Sequence, residues 1–211
     1  MNKAITTFAL LVTLTTSAAA DPLSDFFGGV YVKVYHNMMT NESCDQTIQD
    51  LSLSNWRLND FYSQLTDAST SLSGDKEFDV TDDIVSTQSY IMDRLWHSYY
   101  RYLDELKFYW FNYWSGFTPP RYHRYKETRT MANHCDHIHS MFDGERKGIP
   151  TLTALGVLND GYEGGNFVMF GDDIITLPKG SILVFPSNFL YPHRVDPITK
   201  GERYTFVSWL W

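Results

Sequence analysis

The sequence predicts an α+β domain whose helices come first and back an antiparallel β-core. Three observations carry this. The chain has 211 residues, 43% of them hydrophobic and 16% aromatic, which suits one full core and excludes a disordered chain. Between Ile84 and Trp110 the apolar residues recur at helical spacing, whereas from Arg121 onward short apolar segments alternate with turn residues. Several short strands broken by glycine-containing turns indicate a sandwich or a barrel.

Residues 1–20 read as a basic start, a short apolar run from Ala4 to Leu14 and a small-residue end at Ala18-Ala19-Ala20. That order is the plan of a secretory signal peptide, and it favours export or a secretory lumen, with an uncleaved leader on a cytoplasmic protein as the alternative. No later stretch is apolar enough for a transmembrane span. Asn41-Glu42-Ser43 fits a glycosylation sequon, but Thr40 followed by the same residues reads equally well as a helix N-terminus.

Residues 21–120 form a strand and helical support region in one domain with the core at 121–211. Val30 to Tyr35 alternates as a half-buried strand, and a helix follows from about Glu42 to Leu53. Residues 55–80 are mixed, with a turn at Gly74-Asp75-Lys76. Thr81-Asp82-Asp83 offers capping chemistry to a long helix whose apolar face runs through Ile84, Ile91, Leu95, Tyr99, Leu103, Leu106 and Trp110. Thirteen aromatic residues lie among the thirty from Trp96 to Tyr125, and they read either as packing of this helix against a sheet or as the wall of a substrate cleft.

The candidate strands of the core are Tyr122–Tyr125, Met131–Asp136, Leu152–Leu158, Asn166–Phe170, Asp173–Leu177, Ser181–Phe185 and Arg203–Trp211. Their separators include Gly164-Gly165, Gly171-Asp172, Lys179-Gly180 and Lys200-Gly201.

Composition narrows the chemistry. Seventeen Lys and Arg against 25 Asp and Glu give a formal charge of −8, so no nucleic-acid partner is expected. Two cysteines, Cys44 and Cys135, cannot build a cysteine zinc cage, and a metal must therefore use His and carboxylates. Three of the seven His fall in His134-Cys135-Asp136-His137-Ile138-His139. On a strand His134 and Asp136 leave on the same face, and a third ligand would complete a two-His, one-carboxylate triad with open positions. His137 and Cys135 would then point away, and His36, His97 and His123 are expected in packing or surface roles. His193 follows the strand Ile182-Leu183-Val184-Phe185, and Arg203 stands ten residues beyond it.

Taken together, these residues resemble the iron(II)/2-oxoglutarate dioxygenases of the prolyl 4-hydroxylase catalytic-domain type. The resemblance covers roughly residues 30–211 and is strongest over 121–211. It implies a double-stranded β-helix, or jelly-roll, core with His134, Asp136 and His193 as iron ligands. Arg203 and Tyr125, nine residues before His134, would hold the far carboxylate of 2-oxoglutarate, with Thr153 a further cosubstrate contact and Trp209 the aromatic residue of the last strand. Tyr162-Glu163-Gly164-Gly165-Asn166-Phe167 resembles the family's Gly-Gly hairpin, and Pro178 to Pro186 its penultimate core strand. The sequence departs from the family at Met131, where an aromatic residue is usual, and at Thr128-Arg129, which replaces a glycine-containing turn.

The implied activity is hydroxylation of a C–H bond, of a peptidyl prolyl residue or of a small molecule or free amino acid. It uses Fe(II), O2 and 2-oxoglutarate, with ascorbate as a further cofactor. Two readings from other classes stand beside it: a catalytically silent jelly-roll binding module, and a zinc hydrolase on the same ligands. Arg203 and the lack of an evident general base near His134 weigh against the hydrolase. The loop 140–150 reads as a lid or as a plain solvated connection.

Overall fold

The computed structural model describes residues 29–63, 68–107, 116–136 and 150–211. The leader at 1–20, the aromatic residues between 108 and 115, His137, His139 and the loop 140–149 lie outside the described residues.

The chain enters through β1 (Lys33–Tyr35) and helix α1 (Asn41–Leu51), followed by the short strands β2 (Arg57–Leu58), β3 (Phe61–Ser63), β4 (Ala68–Thr70) and β5 (Asp79–Thr81). Helix α2 (Gln88–Leu106) precedes the core strands β6 (Arg121–Tyr125), β7 (Met131–His134), β8 (Leu152–Val157), β9 (Glu163–Gly164) and β10 (Phe167–Met169). The last strands are β11 (Asp173–Ile175), β12 (Ile182–Pro186), β13 (His193–Val195), β14 (Ile198–Lys200) and β15 (Arg203–Leu210). No described helix is long and apolar enough to cross a membrane.

Two antiparallel sheets face each other. The larger has seven strands in the order β1-β12-β8-β15-β6-β5-β2, and the smaller has four in the order β11-β10-β13-β7. Strand alternation divides the larger sheet's side chains between two cores. Ile182, Val184, Ala154, Tyr122, Phe206 and Leu210 point outward and pack with Leu51, Ile91, Leu95 and Tyr99 of the helices. Leu183, Phe185, Leu155, Val157 and Tyr125 point inward, where Phe167, Met169 and Val195 of the smaller sheet meet them. The backing helices therefore lie on the face away from the space between the sheets. Gly156 is required by this packing: a Cβ there would fall inside the ring of Phe206, its cross-strand partner on β15.

Both helices are amphipathic. In α1 the Thr40 hydroxyl accepts from the Ser43 N–H at 3.1 Å, and Cys44, Thr47 and Leu51 are buried on one face. In α2 the buried set is Ile91, Leu95, Ser98, Tyr99 and Tyr102. Tyr99 reaches through the layer and donates to the Ser208 carbonyl at 2.9 Å.

Several sequence expectations need correction. The long helix begins at Gln88, not after Thr81-Asp82-Asp83, and Ile84 is 83% exposed. Those acids are used elsewhere: Asp82 pairs with Arg121 at 2.9 Å and Arg57 at 3.5 Å, while Asp83 accepts from the Asn55 N–H at 2.9 Å. The first strand is shorter than Val30–Tyr35, because its ladder extends only along Ile182–Val184 and residues 29–31 are helical. Strands β9, β13 and β14 are additional; each is two or three residues long, too short to display a period of two. Of the aromatic run, Tyr99, Tyr102 and Tyr122 are core residues backing the sheet, while Trp96 and Tyr100 are exposed and stacked on each other.

Candidate metal centre and its cavity

The centre forms where the smaller sheet ends. β7 terminates at His134, and its direct partner in the antiparallel ladder is His193, the first residue of β13. The chain leaves β7 through Cys135, which carries Asp136 inward to 6% exposure. The Asp136 Oδ1 lies 3.3 Å from His134 Nε2 and 3.6 Å from His193 Nε2, and one donor atom from each residue falls within 4.8 Å of the others. Bonds of about 2.1 Å to a common ion at right angles require donors about 3 Å apart, so the spacing fits a first-row divalent metal with open positions.

The supporting contacts fix the ligands in the state that a metal needs. His134 Nδ1 lies 2.9 Å from the Ala132 carbonyl and His193 Nδ1 lies 3.1 Å from that of Tyr191. Each Nδ1 therefore carries the proton, and each Nε2 presents a lone pair. Across the cavity, Thr153 of β8 donates its hydroxyl to Asp136 Oδ2 at 2.7 Å and also contacts the Ser187 hydroxyl at 2.8 Å. Phe167 and Phe185 hold the His193 ring, with centroids 5.3 and 5.0 Å away.

Charges follow the same geometry. Burial pushes His193 down to about 4 and keeps it neutral. Burial opposes ionisation of Asp136, but the two imidazoles and Thr153 outweigh it and hold the carboxyl well below the ordinary carboxylate range. Burial also disfavours the cationic form of His134, yet its hydrogen bond to Asp136 raises it overall.

A cavity of about 360 Å³ opens beside the three residues, within the usual size range of small-molecule sites. Its walls include Thr153, Leu155, Phe185, Val207 and Trp209. Arg121 places its guanidinium 5.9 Å from the Trp209 ring. Arg203 and Tyr125 stand behind the cavity wall, at 1% and 0% exposure, as facing residues of β15 and β6. The guanidinium lies 5.2 Å over the Tyr125 ring and its Nε donates to the Tyr162 hydroxyl at 3.2 Å, but Nη1 has no partner. Tyr125 has only a weak acceptor for its hydroxyl, the Met131 sulfur at 3.6 Å. A buried cation with a free donor fits an anionic ligand. Close packing of Gly165 against Arg203 and Ile198 explains that glycine of the hairpin: a Cβ would meet Ile198 Cδ1, with Arg203 Cδ 3.3 Å away.

Of the residues singled out in the sequence, the structure brings His134, Asp136 and His193 together, places Trp209 on the wall of their cavity and sets Arg203 and Tyr125 behind that wall. Thr153 contacts Asp136 directly. His36 and His97 are exposed, and Arg194 is engaged with Asp196 at 3.0 Å. Two expectations change. Cys135 lines the cavity, because the chain has already left β7 and strand alternation no longer applies; both cysteines are free. His123 is not a mere packing or surface residue: it lines the cavity at 6% exposure, with Nδ1 unpartnered, and burial holds it neutral, down to about 3. Its position two residues before Tyr125 on the same strand was the available signal.

Residues 120–211 match the 2OG-Fe(II) oxygenase superfamily. A PKHD-type hydroxylase of Shewanella oneidensis is 38% identical over 99 residues, which are 44% of this chain and 43% of that protein. The chain spans less than half the length of the curated relatives it matches. The viral collagen prolyl hydroxylase of Paramecium Bursaria Chlorella virus-1, solved as its 2OG complex, superposes with a TM-score of 0.63 at 16% identity, covering 87% of this chain and 97% of that one. A Trichoplax adhaerens prolyl hydroxylase, in complex with a hypoxia inducible factor peptide fragment, also gives 0.63 at 16% identity, covering 90% and 86%. The fold is thus the double-stranded β-helix of prolyl hydroxylases.

Proposed function

We propose that this 2OG-Fe(II) oxygenase-like chain is an iron(II)- and 2-oxoglutarate-dependent dioxygenase that hydroxylates a C–H bond of a peptide, with prolyl residues as the first substrates to test. One observation carries the reading: a two-His, one-carboxylate donor set lines a cavity, and behind its wall a buried arginine has no partner for Nη1. A silent binding module needs no such combination, and a zinc hydrolase has no use for Arg203.

His134, Asp136 and His193 would hold iron(II), which with 2-oxoglutarate and O2 supplies the oxidant for hydroxylation while the cosubstrate is converted to succinate and CO2. Every other contribution comes from the chain. Thr153 and Ser187 orient the Asp136 carboxylate, and the two backbone carbonyls keep both imidazoles in the ligating tautomer. Arg203 would pair with the far carboxylate of the cosubstrate, and Tyr125 would turn its hydroxyl from Met131 to the same anion. Leu155, Phe185 and Val207 exclude water from the wall opposite the ligands. Ascorbate is the proposed reductant that keeps the metal ferrous.

The test is succinate formation by purified protein with iron(II), 2-oxoglutarate, O2 and ascorbate, followed by mass spectrometry of peptide and metabolite pools for a gain of one oxygen. Succinate that vanishes in His193→Ala, together with an oxygenated prolyl peptide, supports the proposal. An oxygenated metabolite in place of the peptide would transfer the activity to small molecules. Protein that binds neither iron nor 2-oxoglutarate would refute the enzyme reading.

A further inference from the structure

Of the acidic and basic side chains that line the cavity, all but one have a partner of opposite charge or a place in the metal-ligand set. Arg57 pairs with Asp60 at 3.3 Å, Arg121 pairs with Asp82 at 2.9 Å, and Asp136 faces the two imidazoles. The exception is Glu77, which follows the turn Gly74–Lys76 and is 3% exposed. Its carboxylate accepts only from neutral donors, the Ser73 N–H at 3.0 Å and the Asn59 side-chain amide at 3.4 Å. The Arg129 guanidinium is engaged instead by the backbone carbonyls of Asp75 and Glu77. Among the described residues no cation pairs with the Glu77 carboxylate. A glutamate is almost never so buried unless paired, because neutral donors recover only part of the hydration its charge gives up.

The position suits the far end of a substrate. Glu77 bridges to Thr130 at the entry to β7, and His134 ends that strand four residues on. At 3.3 Å per residue, about 13 Å separates the two backbones, and both side chains line the same cavity. A substrate can therefore place one carbon near the metal ligands and a charged group several bonds away at Glu77. Leu72, Phe78 and Met131 line the cavity as well, apolar surface that suits the methylene stem of a basic side chain.

We propose that Glu77 is a specificity-determining residue that receives an ammonium or guanidinium group of the substrate, so that the site selects cationic substrates. The inference rests on the proposed hydroxylase reading and adds the charge of the substrate to it. A hydrogen bond between two ionised groups changes affinity on the scale of tenfold or more.

The experiment uses blocked pentapeptides with a central proline and a neighbouring residue that is lysine, arginine, norleucine or glutamate, together with free lysine and free norleucine. Binding is measured calorimetrically on metal-free protein and on anaerobic protein loaded with iron(II) and 2-oxoglutarate, and succinate formation is followed with each ligand in air. Glu77→Gln keeps the shape and an acceptor for the Ser73 N–H but removes the charge; Glu77→Asp keeps the charge and draws it back by one methylene. The expected result is a cationic ligand that binds at least tenfold tighter than its norleucine counterpart, with that ratio falling to within twofold in Glu77→Gln and partly kept in Glu77→Asp. Either the peptides or free lysine may show the ratio, and the one that does identifies the source of the cation. A structural role would weaken charged and neutral ligands alike, and an unchanged ratio in Glu77→Gln overturns the proposal. Cationic ligands that bind the parent no tighter than neutral ones, or not at all, overturn it too. Charge preference in a protein that forms no succinate refutes the proposed function and leaves this inference standing, whereas succinate formation that favours neutral or acidic peptides refutes this inference alone.

Discussion

Thr153 donates its hydroxyl to Asp136 Oδ2 at 2.7 Å from β8, an interior strand of the sheet opposite the two histidines. The bond orients a carboxylate whose other oxygen faces both imidazoles. Thr153→Val preserves the shape and removes the donor, and outer contacts of this kind change metal affinity by about 10–100-fold. We expect iron affinity to fall within that range with the melting temperature little changed, measured by metal titration of apo protein.

Arg203→Met separates cosubstrate from metal. The arginine is buried with one unpartnered nitrogen, so its removal relieves an uncompensated charge in the empty protein. The expected outcome is about a hundredfold or greater loss of 2-oxoglutarate affinity, with iron binding retained and thermal stability equal or higher. Unchanged cosubstrate dependence would remove Arg203 from the site.

His123 makes the apo protein acid-sensitive. Its folded value, about 3, lies below the unfolded value near 6.5, so the unfolded chain takes up the proton first. Stability from this group is intact above the unfolded value and is lost as pH falls from about 6.5 towards 3. His193, down to about 4, acts in the same direction, and His134 in the opposite one. Comparing His123→Phe with the parent by urea unfolding isolates the one contribution. The difference in favour of the variant should grow by roughly 1–2 kcal/mol between pH 6.5 and 5; parallel curves would contradict the buried neutral imidazole.

Gly156→Ala should destabilise by about 1–3 kcal/mol, because the new methyl overlaps the Phe206 ring in a packed interior. Phe206→Leu in the same chain should recover part of the loss. Chemical denaturation of the single and double variants reads both effects.

Thr128 occupies the left-handed region at φ 71° on the exposed turn between β6 and β7. A β-branched residue is strained there, and glycine is not. Thr128→Gly should stabilise the protein by about 1 kcal/mol, and a loss of stability would assign the threonine a role that its backbone geometry does not reveal. The turn is nonetheless well tied: the Thr128 N–H donates to the Ile198 carbonyl at 2.8 Å and Arg129 to that of Glu77 at 2.8 Å. These contacts let Thr128-Arg129 serve where a glycine-containing turn was expected.

The long strands and the helices were legible because their signals are local and repeated. Arg203–Leu210 follows the Lys200-Gly201 turn as one apolar-rich segment, and Ile91, Leu95 and Tyr99 mark a helical face. His134 and Asp136 announced themselves by proximity, and His193 and Arg203 by spacing. What stayed hidden depends on pairing between distant residues. β13 is three residues long and exists because β7 and β10 flank it. The acids at 82 and 83 read as a helix cap, but Arg121 and the Asn55 amide claim them from 39 and 28 residues away. His123 reads as a packing or surface residue because its spacing of two from Tyr125 gives the face of the strand but not the cavity on that face.

Strand β15 carries two separate duties on its two faces. Arg203, Thr205, Val207 and Trp209 look toward the site, and Phe206 and Leu210 anchor the helical layer. Point substitutions can therefore alter ligand recognition and scaffold strength independently. An insertion or deletion of one residue within the strand cannot, since it exchanges the faces and turns a buried arginine toward the helices. Variation along this strand is thus separable by face in residue identity and closed in length.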